Sequence, residues 1–144
     1  MIIAVRIRGK IGIRQQVKDT FQMLRMKRTH SAVLLPETPI YKGMLEKVKD
    51  YIMYGKISPE VLKKLLAKRL KRKDNKKADN KLIEKTIKTI NENKLLKDVN
   101  EIKPFLALHP ARKGLKKTGT KKTVKRGGSL GWHDSMDDLI LRMI

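Results

Sequence analysis

Two glycines, Gly114 and Gly119, have the spacing of the phosphate-binding loop G-x-x-x-x-G-K-[ST]. In that motif a Lys and then a Ser or Thr follow the second glycine, whereas this chain continues with Thr120 and Lys121, in the reverse order. No long predicted strand leads into the segment, and polar residues follow where a helix should begin. The stretch is therefore interpreted as a solvated basic loop and not as a nucleotide site.

Metal and acid–base chemistry find equally little support. The three histidines, His30, His109 and His133, share no spacing that would bring two of them to one face of a helix, and the chain has no cysteine. The carboxylates are scattered, mostly beside Lys, without the isolated pair that general acid–base catalysis uses. We therefore expect no metal site, and acid–base catalysis has no strong candidate.

Charge is the strongest signal in the chain. Over 144 residues, 36 Lys and Arg stand against 14 Asp and Glu, which gives a net charge of +22. Such self-repulsion disfavours a compact state, so we expect a polyanionic partner. Nucleic acid fits, because each neutralised phosphate releases counterions. A membrane surface is the competing polyanion, but no stretch approaches the roughly 18 apolar residues of a spanning helix. The start at Met1 also lacks the form of a signal peptide, which points to the cytoplasm.

The basic residues gather at positions 6–14, 63–77 and 112–126. Lys63 and Lys64 alone are interpreted as a solvated helix face. Residues 112–126 contain eight basic residues and no acidic one, with three Thr, two Gly and few apolar residues. Such a composition cannot build a core and predicts a flexible arm that orders on binding RNA.

Two side chains beside this arm leave alternatives open. Trp132, the only Trp, either stacks on a base or sugar or closes the core under the last helix. His109 either donates a hydrogen bond to phosphate or stabilises a turn before Pro110.

The spacing of apolar residues predicts the strands and helices that must position these residues. Residues 2–8 alternate, with Ile3, Val5 and Ile7 on one side, which predicts a half-buried strand. A helix is predicted from Ile13 to near Met26, a strand over 32–35, a second helix after Gly43 and a strand near 51–54. The order over residues 1–57 predicts an α/β (α+β) fold with a small sheet and helices on one face.

The remaining residues, 58–144, are predicted to form an extension packed on this core. Ser58-Pro59 begins a helix over 58–70, because an oxygen-bearing cap precedes a proline at the first helical position. A second helix is predicted over 80–91 and a basic arm over 109–131. A C-terminal helix is predicted over 134–143, capped by Asp134.

Several segments, taken in their order and spacing, resemble a known family. They are Val5-Arg6-Ile7-Arg8-Gly9, Val33-Leu34-Leu35-Pro36-Glu37-Thr38-Pro39, Lys42-Gly43-Met44-Leu45 and Tyr54-Gly55. These resemble the large-subunit ribosomal protein family numbered thirty, whose eukaryotic relatives are numbered seven. Leu108-His109-Pro110 and Gly127-Gly128-x-Leu130-Gly131-x-His133-Asp134 are similar to its archaeal form.

The resemblance implies a β-α-β-α-β core with a ferredoxin-like fold, and binding to large-subunit ribosomal RNA with five-S RNA nearby and ribosomal proteins as neighbours. It implies no catalytic residue and no cofactor. RNA-facing positions carry over to Arg8, Lys10 and Arg14 in the first loop and to Tyr41 and Lys42 before the second helix. Lys42 stands where the family often has Arg, so a simple charge contact replaces a bidentate one.

Together, the residues and the resemblance predict RNA contacts from the first loop, the residues before the second helix, and the arm with its flanks. The predicted set is Arg8, Lys10, Arg14, Tyr41, Lys42, His109, Arg112, Lys113, Lys116, Lys117, Lys121, Lys122, Lys125, Arg126, Trp132 and His133. Two alternatives remain. A basic architectural protein on DNA would need a recognition helix, of which there is no sign. An enzyme on a ferredoxin-like scaffold would need a catalytic loop that Gly9-Lys10-Ile11-Gly12-Ile13 does not provide.

Overall fold

The computed structural model describes residues 1–74, 76, 78–91, 96, 101–115 and 119–144. Five strands and five helices occur in this part of the chain. In chain order they are β1 (Ile2–Arg6), α1 (Gln15–Met23), β2 (Ser31–Leu35), α2 (Pro39–Lys47), β3 (Ile52–Lys56), α3 (Pro59–Arg69), α4 (Asn80–Asn91), β4 (Leu106–Ala107), β5 (Gly131–His133) and α5 (Asp137–Met143). The predicted strand–helix–strand–helix–strand order of the first 57 residues is confirmed.

The strands form one sheet in the order β4-β2-β1-β3-β5. The central strand β1 runs antiparallel to β2 and β3, with Ala4 opposite both Val33 and Tyr54. The outer strand β4 is antiparallel to β2, whereas β5 is parallel to β3 and pairs Tyr54 with Trp132. The sheet therefore carries the first loop at the C-terminal end of β1 and carries β5 at one edge.

Helices α1 and α2 cover one face of the sheet, as predicted for residues 1–57. Side chains from β1, β2 and β3 meet Phe21 and Leu24 from the end of α1 and Leu45 and Val48 from the end of α2. The strand residues in this layer are Ile2, Ala4, Val33, Leu35, Ile52 and Tyr54.

Helices α3, α4 and α5 cover the opposite face, where Ile3 and Val5 of β1 pack against Leu65 of α3 and Ile140 of α5. The prediction of a half-buried first strand is therefore wrong, because all five residues of β1 are buried. The period-two pattern failed because Ala4 and Arg6 also lie under helices, so both faces of the strand exclude water.

Helix α2 was predicted after Gly43 but begins five residues earlier, at Pro39. Thr38 is its N-cap and accepts a hydrogen bond from the backbone N–H of Tyr41, and Pro39 occupies the first helical turn. The same arrangement, with Ser58 as the cap and Pro59 next, begins α3 as predicted. Gly43 thus lies inside α2 and does not mark its start.

The C-terminal helix begins three residues later than predicted, and Asp134 does not cap it. Met136 occupies the N-cap position, while the Asp134 carboxylate accepts a hydrogen bond from the indole of Trp132. Asp137, in the first turn of α5, instead accepts from the backbone N–H of Ser58 at 2.9 Å and ties α5 to the start of α3. In the described part of the chain, no helix has the length and apolarity needed to span a membrane.

Candidate nucleic-acid interface

The loop that follows β1, residues 7–14, forms the first cationic surface and is called the first loop. The side chains of Arg8, Lys10 and Arg14 are all exposed. The Arg8 guanidinium donates a hydrogen bond to the backbone carbonyl of Asp50 at 3.3 Å and lies 5.1 Å from the centre of the Tyr51 ring. Arg8 is thus oriented by the protein, while Lys10 and Arg14 project from it.

A buried cation, Arg6, supports the first loop. Its side chain is 2% exposed, and its Nε and Nη2 donate to the carbonyls of Arg8 at 3.0 Å and Gly9 at 2.9 Å. Its Nη1 donates to the carbonyl of Met26 at 2.7 Å, and burial lowers the pKa of its guanidinium. Sequence reasoning missed this role; the available signal was an Arg inside an otherwise apolar strand.

The second cationic surface is a groove of about 1150 Å³, which we call the arm groove. Helix α2 and strand β3 form one wall, residues 121–126 form the other, and Tyr54 and Trp132 lie between them. Its cationic lining comprises Lys42, Lys49, Lys56, Lys121, Lys122 and Arg126. Lys49, Lys56 and Tyr54 were not predicted from the sequence as part of a site.

The α2 wall of the groove is largely neutralised within the protein. Lys42 Nζ lies 3.2 Å from Glu37 Oε1, and Lys49 forms an ion pair with Glu46. The hydrogen bond from Lys42 and its charge lower the pKa of the Glu37 carboxyl, and Glu46 raises the pKa of Lys49. A phosphate would have to compete with these carboxylates for Lys42 and Lys49.

The arm wall has no such neutralisation. Lys121, Lys122 and Arg126 are exposed, and in the described part of the chain none of them is ion-paired. On the opposite wall, Lys56 of β3 is also exposed and without an ion pair among the described residues. Most of the uncompensated positive charge of the groove therefore lies on the arm side.

The arm forms a folded loop over residues 119–131, in the stretch whose composition predicted flexibility. Two 3-10 turns, Gly119–Lys121 and Val124–Arg126, shape it. The N–H of Val124 donates to the carbonyl of Leu130 at 2.8 Å, and the N–H of Leu130 donates to the carbonyl of Lys122 at 3.2 Å. Composition did not reveal this fold because backbone hydrogen bonds, which need no apolar side chains, hold much of it.

Trp132 stands at the edge of the groove and does not close the core under α5; that alternative is wrong. Its side chain is 38% exposed, while Leu130 and Met136 on either side are each 1% exposed and fill the core instead. The Trp132 ring packs edge-to-face on Tyr54 with centroids 5.6 Å apart. Its Nε1 donates to Asp134 Oδ1 at 3.1 Å, so contacts on two sides fix the ring.

Tyr54 anchors the floor of the groove. Its hydroxyl donates to Glu46 Oε2 at 3.1 Å, and burial, followed by the charge of Glu46, raises its pKa to about 12. The next residue, Gly55, allows β5 to approach, because a Cβ there would lie 2.0 Å from the carbonyl oxygen of His133. The ring nitrogen Nε2 of His133, which also lines the groove, lies 2.8 Å from the carbonyl oxygen of Ser129.

The other predicted residues lie elsewhere. Tyr41 is half-buried against the α1–α2 layer. His109, Arg112 and Lys113 are exposed, and the backbone N–H groups of His109 and Arg112 bond to the last turn of α5. The structure does not bring these three into the arm groove.

Three predicted lysines cannot be placed. Lys116 and Lys117 lie outside the described residues, as does the side chain of Lys125. Within the described residues, no three side chains of the metal-binding types come together.

Comparison with known proteins identifies relatives over the whole chain. The family described as Ribosomal protein L30p/L7e matches residues 2–52. Large ribosomal subunit protein uL30 of Methanosphaera stadtmanae is 38% identical over the full length of both chains. The uL30 proteins of Methanococcus maripaludis and Methanococcus vannielii are 36% and 37% identical, with 97% of each chain covered.

Proposed function

Because the chain belongs to the L30p/L7e family of ribosomal proteins, we propose that its first loop and arm groove are the surfaces that bind ribosomal RNA. The protein is a structural constituent of the large ribosomal subunit, and its partners are ribosomal RNA and neighbouring ribosomal proteins. In this role it recognises folded RNA mainly through the shape of the RNA and through contacts to its phosphates, and it reads few bases.

One observation carries the proposal: the charge of the arm groove is asymmetric. The α2 wall balances Lys42 and Lys49 with carboxylates, whereas Lys121, Lys122 and Arg126 face solvent without an acidic partner among the described residues. Repulsion within such a cluster raises the free energy of the isolated protein, and a polyphosphate relieves it.

The proposal extends to positions with less support. Arg8, Lys10 and Arg14 bind RNA from the first loop, which Arg6 holds in place. Composition and the family resemblance support further contacts from Tyr41, Lys42, His109, Arg112, Lys113, Lys116, Lys117, Lys125, Trp132 and His133. The resemblance also supports a position near five-S RNA and the division of the chain into a core, 1–57, and an extension, 58–144.

We propose no catalytic role. Four carboxylates line the arm groove, and three of them already accept hydrogen bonds: Glu37 from Lys42, Glu46 from Tyr54 and Lys49, and Asp134 from Trp132. Carboxylates that already accept hydrogen bonds within the protein stabilise the fold and are poorly placed to exchange protons with a substrate.

The salt dependence of binding to an archaeal large-subunit ribosomal RNA tests the proposal. The triple variant Lys121→Gln, Lys122→Gln, Arg126→Gln removes three cations of the arm wall. We expect its logarithmic salt slope to fall by about 2 to 3, because each lost phosphate contact removes roughly 0.7–0.9.

The matched control is Lys63→Gln, Lys64→Gln, Lys68→Gln on the exposed face of α3, which removes the same charge. We expect this control to keep nearly the wild-type slope. Equal losses in the two triple variants would show that only net charge matters and would contradict the proposed surface.

A further inference from the structure

We propose that the arm groove holds an unpaired nucleotide of the RNA, with its base stacked on Trp132 and its phosphate against Lys121, Lys122 and Arg126. The inference rests on the proposed function and specifies the ligand of one surface: a nucleotide outside a duplex.

The first argument is the exposure of Trp132. An indole that served only the core would be covered, yet 38% of this side chain is accessible while Tyr54 beneath it is 7% accessible. Solvent-facing aromatic rings beside cations are the usual platform for unstacked bases, whereas duplex RNA offers its bases only at their edges.

The second argument is that the ring is preorganised. Tyr54 holds it edge-to-face, Asp134 fixes its Nε1, and the parallel register of β3 with β5 sets its position. Ordering an exposed side chain on binding costs free energy. Because the Trp132 ring is already held in place in the free protein, this cost is small when RNA binds.

The third argument is the placement of charge around the ring. Three cations without acidic partners line the arm wall, whereas on the opposite wall Lys42 and Lys49 are ion-paired and, among the described residues, Lys56 alone is not. A single RNA strand fits this asymmetry if its phosphate lies against the arm wall and its base lies on the Trp132 ring. The volume of about 1150 Å³ slightly exceeds the usual range for small-ligand pockets, roughly 300–1000 Å³, and suffices for a nucleotide.

A segment of a neighbouring ribosomal protein fits less well, because it would need enough acidic residues to meet the unpaired arm cations.

The test uses the fluorescence of Trp132, which reports on this site alone because the chain has no other Trp. We expect an archaeal large-subunit ribosomal RNA to quench its emission, and Trp132→Leu to weaken RNA binding roughly ten-fold without changing the salt slope, since the loss of one stacked base removes no phosphate contact. Trp132→Phe, which keeps an aromatic ring, should recover most of the affinity. Thermal denaturation of both variants establishes that they fold.

Other outcomes overturn the inference in distinguishable ways. Wild-type affinity of Trp132→Leu with unquenched wild-type emission would refute the stacked base and leave the proposed function intact, whereas absence of any RNA binding would remove both. Quenching by large-subunit ribosomal proteins but not by RNA would assign the groove to a protein. Quenching by free adenosine or uridine monophosphate at concentrations that saturate, with no quenching by RNA, would assign it to a free nucleotide.

Discussion

The guanidinium carbon of Arg6 lies 4.0 Å from the centre of the Phe21 ring, between β1 and the end of α1. No described carboxylate forms an ion pair with this buried cation. Three backbone carbonyls and an aromatic face surround it instead, and two of those carbonyls belong to the first loop. Arg6 is therefore a positioning residue that shapes a surface it does not itself present.

Replacing Arg6 with Gln should destabilise the fold. The shorter amide cannot reach three separate carbonyls, and buried acceptors left without a donor cost about 1–3 kcal/mol each. We expect the free energy of unfolding in urea to fall by about 2–4 kcal/mol.

RNA binding distinguishes this role from a phosphate contact. Under conditions where Arg6→Gln remains folded, its affinity should fall while its salt slope stays at the wild-type value. The exposed neighbour Lys10 serves as the comparison, because Lys10→Gln should lower the slope by roughly 0.7–0.9 and leave the stability unchanged. A slope reduced by Arg6→Gln to the same extent would identify Arg6 as an RNA contact.

Replacing Gly55 with Ala should separate β5 from β3. The added Cβ would lie 2.0 Å from the His133 carbonyl oxygen, a backbone atom that cannot move without displacing the strand. We expect a loss of about 2–4 kcal/mol in urea denaturation, in the range of other severe steric changes, and a shift in Trp132 emission.

Gly43→Ala is the matched control for this substitution. A Cβ at Gly43 meets no atom within 4 Å, and the residue lies within α2. Ala should therefore raise the stability by about 0.5–1 kcal/mol, as expected for replacing Gly inside a helix. A Gly55→Ala variant as stable as wild type would show that β3 and β5 do not approach as closely as described.

Stability at high pH should depend on Tyr54. Burial and Glu46 raise its pKa to about 12, whereas the unfolded value lies near 10. The folded state therefore holds this proton more tightly, so its contribution to stability is complete below about pH 10 and is lost as the pH rises to about 12.

Comparing Tyr54→Phe with wild type by urea denaturation isolates this effect from other groups that titrate in the same range. The stability of wild type should fall more steeply than that of Tyr54→Phe between about pH 10 and 12. Parallel decreases in the two proteins would show that the Tyr54 hydroxyl has the same proton affinity in both states.

The sequence predicted the elements whose signals are local. Ser58 and Pro59 mark the start of α3 because cap chemistry acts within one turn, and the isoleucines of residues 80–91 set the bounds of α4. Thr38 and Pro39 carry the same signal for α2, whereas the helix was predicted only after Gly43.

The features that were missed depend on distant contacts. Ala4 and Arg6 have no local mark of burial, since Ala4 is covered by the α1–α2 layer and Arg6 by the Phe21 ring of α1. Strand β5 has only three residues, too few for a periodicity, and its position rests on Gly55, more than 70 residues earlier. The arm groove could not be assembled from the sequence because its two walls meet only through the pairing of β3 with β5.

The most direct measurement is the salt at which the tagged protein leaves large ribosomal subunits during sedimentation of archaeal cell extracts. We expect wild type and the control Lys63→Gln, Lys64→Gln, Lys68→Gln to stay with the subunit through the same salt washes. The variant Lys121→Gln, Lys122→Gln, Arg126→Gln should be released at clearly lower salt. Release of the arm variant together with wild type, or no association of wild type with the subunit, would contradict an RNA-binding arm groove.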